Sequence, residues 1–186
     1  MMIPIMLAFA IGVMISLERG WFFLANRGGK EPEHMLDLIR RGKMTDALAL
    51  AEQHQNPVLA VLGTGIMHRQ DDPAKAMMSR GLGEIGRMKR GLPVLDTIIT
   101  LGPLLGLLGT IIGMIDSFGI MATGGLGQTQ AVTGGVAEAL ICTAAGIFVA
   151  VIILIPYNYF QAYIEGETER IELFATQAET AFTQLT

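Results

Sequence analysis

The charged residues of this chain are bunched, and the gaps between them set its organisation. From Ala139 to Ile164 no residue carries a charge. A second gap runs from Thr97 to Ile115, bracketed by Asp96 and Asp116. A third, Ile3 to Leu17, ends at Glu18 and Arg19 and is followed by the aromatic cluster Trp21, Phe22 and Phe23. An α-helix needs ~20 apolar residues to cross a bilayer, so the pattern predicts three membrane-crossing helices. The first run is short, but it has neither the basic start nor the small-residue cleavage site of a secretory signal. Its aromatic end suits a membrane interface.

The basic residues orient these spans. Of the 13 Lys and Arg residues, eleven lie between Arg27 and Arg90, and the connection between spans two and three has none. Cytoplasmic loops carry the excess of Lys and Arg, which predicts a periplasmic N-terminus and a cytoplasmic C-terminus. The expected order is a first transmembrane helix over 1–25, a cytoplasmic helical segment over 26–92 and a second transmembrane helix over 93–118. A glycine- and threonine-rich periplasmic loop over 119–134, a third transmembrane helix over 135–160 and a cytoplasmic C-terminal helix over 161–186 follow. The fold class is therefore an all-α membrane protein with cytoplasmic helical extensions.

Within 26–92, helical patterns alternate with breakers. They run Glu33–Arg41, Thr45–His54 and Val58–Arg69, ending at Gly42, Asn56-Pro57 and Asp71-Asp72-Pro73. Asp72 and Pro73 form an N-cap and first-turn pair for a helix that can run on into span two. The segment is too small for an independent catalytic domain, so its helices are expected to pack on the cytoplasmic ends of the spans. In the tail, Ile171, Phe174, Ala178, Ala181 and Leu185 recur at spacings of 3, 4, 3 and 4. That makes one apolar stripe suited to another helix. A tail helix continuous with span three would project roughly 35–40 Å beyond the membrane.

Composition narrows the function. The chain is 51% hydrophobic and 16% charged with a net charge of -4, which argues against nucleic-acid binding. A single cysteine, Cys142, excludes an internal disulfide. His34, His54 and His68 are dispersed without ligand spacing, so neither a metal nor another cofactor is expected. An intramembrane enzyme would need a nucleophile–base pair or metal cluster in the spans, and the spans carry neither, so no catalytic residues are assigned.

Glu138 is the exception in the apolar pattern, at the head of the third span. A carboxylate in a bilayer is costly, by ~2.5–3.5 kcal/mol at a helix centre, and by default marks an ion or proton path. Removal from water disfavours its charged form, which suits it to take up and release a proton. Around it lie small-residue stripes. Span two carries Gly102, Gly106, Gly109 and Gly113 at spacings of 4, 3 and 4, and span three carries Gly135, Ala139, Cys142, Gly146 and Ala150 at spacings of 4, 3, 4 and 4. Such stripes let helix backbones approach closely. Pro103 interrupts the backbone bonding of span two, by a kink or a freed carbonyl, and Pro156 is placed similarly in span three. Thr110 and Thr143 either bond their own backbones or line a path. Thr143 lies about 140° around the helix from Glu138, so both face one cavity only if several helices border it, as in a ring of subunits.

The run from Gly102-Pro103-Leu104-Leu105-Gly106 through Gly109-Thr110 to Gly113-Met114-Ile115 resembles the second-span signature of the ExbB/TolQ/MotA family of proton-channel subunits. Gly135-Val136-Ala137-Glu138-Ala139-Leu140 with Thr143, Ala144 and Gly146 resembles its third-span signature. Leu17-Glu18-Arg19-Gly20-Trp21-Phe22 resembles the exit of its first span, and Leu38-Ile39-Arg40-Arg41-Gly42-Lys43 its cytoplasmic segment. ExbB-like members are the most similar. The resemblance implies a homo-oligomeric ring, a pentamer, in the bacterial inner membrane. It implies an ExbD/TolR-like single-span partner with a membrane aspartate, and a TonB-like protein as a further partner. Protons crossing between that aspartate and the ring would drive mechanical work, with Glu138, Thr110 and Thr143 near the path. The chain departs from the family where Ile-Pro often follows the third-span glycine; here proline comes only at Pro156. Motility stators of the MotA kind have four spans and resemble it less. The alternatives are a TolQ- or motility-type subunit, or a scaffold that holds partner helices without conducting.

Overall fold

The computed structural model describes residues 2–25, 29–54, 56–124 and 129–184, with side chains described outside 123–132. All its elements among these residues are helices: α1 (Met2–Ala25), α2 (Glu31–Arg40), α3 (Met44–Gln53), α4 (Pro57–Met67), α5 (Pro73–Met88), α6 (Leu92–Gly124) and α7 (Thr129–Gln184). Three of them, α1, α6 and α7, are long and apolar enough to cross a membrane.

Local chemistry sets the boundaries. Asn56 caps α4 by accepting from Val58 N at 2.8 Å, with Pro57 in the first turn. Asp72 caps α5 by accepting from Lys75 N at 3.0 Å, ahead of Pro73. Each cap satisfies an orphan amide of the first turn. Helix α5 does not run on into α6 as the sequence allows. The break falls at Gly91, whose φ of 86° belongs to the left-handed region, where a side chain is disfavoured.

One further expectation is corrected. Residues 119–134 are not a loop throughout. Helix α6 continues to Gly124 and α7 begins at Thr129, and only 125–128 lie outside the described residues. Glycine and threonine signal breaks in water, but each residue added to a formed helix gains a backbone bond, and no charge opposes it here. The third span and the tail form one helix, as the sequence allows, for α7 runs unbroken from Thr129 to Gln184.

The chain divides into two units, Met1–Gly20 with Gly91–Tyr159, and Trp21–Arg90 with Phe160–Thr186. In the first unit, α1 meets the other two spans at Gly12. A β-carbon there would lie 2.8 Å from Ile153 Cδ1 and 3.4 Å from Ile98 Cδ1. Ile5, Leu95, Ile98 and Ile153 are buried, whereas Ile3, Met6, Leu104, Ile115, Leu140 and Phe148 are exposed. Apolar side chains on both the inside and the outside of a bundle mark a membrane protein.

The second unit has an apolar core of its own. Its core joins Met35, Ile39, Leu59, Leu62 and Met77 to Ile164, Ile171, Phe174 and Ala178. Phe23 packs between Phe160 and Tyr163, with ring centroids 5.2 and 4.9 Å away. The predicted stripe of the tail is thus the buried face of this part of α7, except for Leu185, which lies outside the described residues.

Candidate functional site

The small-residue stripes of α6 and α7 face each other. A β-carbon on Gly102 would lie 2.9 Å from the Gly146 carbonyl oxygen. One on Gly106 would lie 2.9 Å from Thr143 Cα and 3.0 Å from the Cys142 oxygen, and one on Gly113 would lie 2.7 Å from Ala139 Cβ. Backbone atoms on the far side cannot give way as a side-chain tip can, so these glycines let the helices touch. Gly109 is buried on the same stripe. Pro103 sits inside α6 beside Gly102, where it lacks the N–H that would bond the Ile99 carbonyl.

Thr143 Oγ1 donates to the Gly106 carbonyl oxygen at 2.9 Å, across the helix pair. This is neither the backbone bond to its own helix nor the pore-facing hydroxyl that the sequence poses as alternatives. Thr110 Oγ1 donates to Leu107 O of its own helix at 2.7 Å, as Thr97 and Thr100 do to Pro93 and Asp96. Thr143→Val should therefore cost about 0.6 kcal/mol, the average of membrane hydrogen bonds, and Thr110→Val less. Thermal unfolding in detergent measures both. A larger loss at Thr110 than at Thr143 would contradict the assignment.

Toward the α6–α7 connection the seam opens into a groove of about 290 Å³, lined by Gly109, Ile112, Gly113, Asp116, Ser117, Ile120, Gly135, Glu138, Ala139 and Cys142. Glu138 is exposed on it. Ser117 is buried and donates to the Gly113 carbonyl at 2.7 Å. Of the residues singled out from sequence, the groove brings together Glu138, Gly109 and Gly113 with Gly135, Ala139 and Cys142 of the α7 stripe. Thr110, Thr143, Pro103, Gly106 and Gly146 lie outside its lining.

Asp116 and Ser117 are the additions. In sequence Asp116 served only to bracket span two. The signal was present: Asp116 and Ser117 lie three and four residues after Gly113, at the stripe's own spacings, so the glycine stripe leads to a carboxylate and a hydroxyl. A groove with two carboxylates and a hydroxyl beside the uncharged stretches of α6 and α7 is polar enough to hold water.

Comparison with known proteins decides the family. The sequence matches the MotA/TolQ/ExbB proton channel family over residues 45–173. The chain belongs to this family. It is 32% identical over 183 residues to ExbB-like protein 1 of Synechocystis sp., an alignment that covers 94% of this chain and 70% of the relative. It is 38% identical over 104 residues to the Tol-Pal system protein TolQ of Pseudomonas aeruginosa, covering 56% of this chain and 45% of TolQ. It is 30% identical over 131 residues to the biopolymer transport protein ExbB of Xanthomonas campestris, covering 70% of this chain and 52% of that protein. The family match includes α4 to α6 and most of α7, and so the whole Glu138 groove.

Proposed function

We propose that the chain is the ring-forming subunit of an ExbB-like complex that uses the proton-motive force to do mechanical work in the cell envelope. The supporting observation is the placement of Glu138. Glu138, the one charged residue of α7 between Thr129 and Ile164, is exposed on a groove shared with Asp116. A carboxylate kept in such a place needs water or a partner's polar group beside it.

In this reading the spans of several copies, five in the proposed ring, enclose the membrane helices of an ExbD/TolR-like partner. A proton passes between an aspartate on the partner and the Glu138 carboxylate. Thr110 borders the path on α6, where its oxygen can still accept from water. Thr143 borders it on α7, where its hydroxyl holds the helix pair at Gly106. The N-terminus is periplasmic and the tail cytoplasmic, in keeping with the Lys and Arg bias. A TonB-like protein would carry the work onward if the load is import, and a TolQ-like role fits if the load is envelope maintenance.

The test is proton flux into vesicles under an imposed potential. Flux is expected from the chain reconstituted with its single-span partner and not from the chain alone. Equal, background-level leakage in both would turn the proposal to a non-conducting scaffold.

A further inference from the structure

The second unit carries two helix faces of opposite charge. Along α5, Ala76, Arg80, Gly83 and Arg87 recur at spacings of 4, 3 and 4. The Arg80 and Arg87 side chains are 47% and 67% exposed. Both pair with the same buried carboxylate, Glu84, at 2.8 and 3.1 Å. Between them a β-carbon on Gly83 would meet nothing within 4 Å. An open furrow of about 500 Å³ runs beside this face, with Thr64 and His68 of α4 on its far wall.

Along α7, Glu165, Glu169, Glu172, Thr176 and Glu179 recur at spacings of 4, 3, 4 and 3, and all are exposed. Like charges at these spacings repel. An acidic ridge of this kind is relieved by a facing cation. Glu172 and Glu179 are seven residues apart, as are Arg80 and Arg87, so two helices laid side by side can match both pairs.

The two faces cannot satisfy each other within one unit. Glu172, Thr176 and Glu179 line a groove with Met78, Leu82 and Ile85 of α5. Those α5 residues lie roughly 160° around the helix from Arg80, Gly83 and Arg87 at 3.6 residues per turn. Basic and acidic faces thus sit on opposite flanks of α5. Complementary patches on opposite flanks of one molecule make a head-to-tail contact, which closes into a ring when the rotation allows.

We propose that the acidic α7 ridge of one copy docks in the α4–α5 furrow of the next, with Glu172 and Glu179 facing Arg80 and Arg87. The proposal rests on the ring reading and adds to it the residues that join neighbouring subunits.

The test uses the full chain in mild detergent with lipid. Gly83→Cys and Thr176→Cys are made singly and together; the native Cys142 is buried in the helix seam. After oxidation, the double variant should run as a ladder of linked multimers. Each single variant should stay monomeric, and the two singles co-expressed should give dimers and nothing larger. Adding Glu172→Lys and Glu179→Lys should lower the ladder yield several-fold. Native mass spectrometry of the unoxidised double variant separates the two ideas. An intact ring without a ladder, or single variants that dimerise alone, would overturn this contact while leaving the ring. A monomer would overturn both. An unchanged yield in the lysine variant would remove the charge pairing on which the contact is argued.

Discussion

Glu138→Gln is expected to leave assembly intact and to lower partner-dependent proton flux on the order of 10²-fold or more, the usual contribution of a positioned proton-transfer group. Glutamine keeps the size and hydrogen bonding of the side chain but cannot exchange a carboxyl proton. Glu138 is exposed in the chain, so replacing it uncovers no buried partner, and the small-residue seam that binds α6 to α7 is untouched. Glu138→Ala should give the same loss of flux, again with little change in assembly. The measurement pairs flux in vesicles with the mass of the detergent-solubilised complex. Normal flux in both variants would move Glu138 to a packing role and shift attention to Asp116 across the groove.

A larger effect on stability is expected at Gly106. Gly106→Val places a β-carbon 2.9 Å from Thr143 Cα and 3.0 Å from the Cys142 carbonyl oxygen. Overpacking usually costs about 1–3 kcal/mol, and the upper end applies because the obstructing atoms are backbone. The forced separation also breaks the Thr143 bond to the Gly106 carbonyl, worth about 0.6 kcal/mol more. The variant should melt well below the wild type and lose flux with its fold. Gly166→Ala in α7 is the control. A β-carbon there meets nothing within 4 Å, and alanine is the better helix former by about 1 kcal/mol, so that variant should be as stable as the wild type or more so. Similar melting of the two variants would mean that the seam does not hold the helix pair.

Much of this architecture is readable from periodicity. The three spans follow from the uncharged runs, and the facing stripes of α6 and α7 follow from spacings of 3 and 4, because a helix repeats every 3.6 residues. The short helices α2 to α5 are marked by Gly42, Asn56-Pro57 and Asp72-Pro73, whose chemistry is local. What escaped depends on register between helices. Thr143 could have bonded its own helix; that it reaches Gly106 is decided by how far α6 and α7 are shifted along each other. Asp116 reads as the end of a span until Glu138 is seen on the same groove. The 119–134 stretch misleads for another reason: its glycines and threonines carry the rules of turns in water, while its lack of charge lets α6 and α7 extend.

The seam between α6 and α7 also limits how the pair can move. Gly102, Gly106 and Gly113 each sit over a matching small residue or bare backbone on α7. Sliding one helix past the other by a single residue, ~1.5 Å, would put these close backbone contacts out of register and break the Thr143 bond to the Gly106 carbonyl. The seam behaves as a keyed joint, closed to axial slip. Work done on one of these helices is passed to the other without play, so the mechanical cycle proposed above would displace the helix pair as one part.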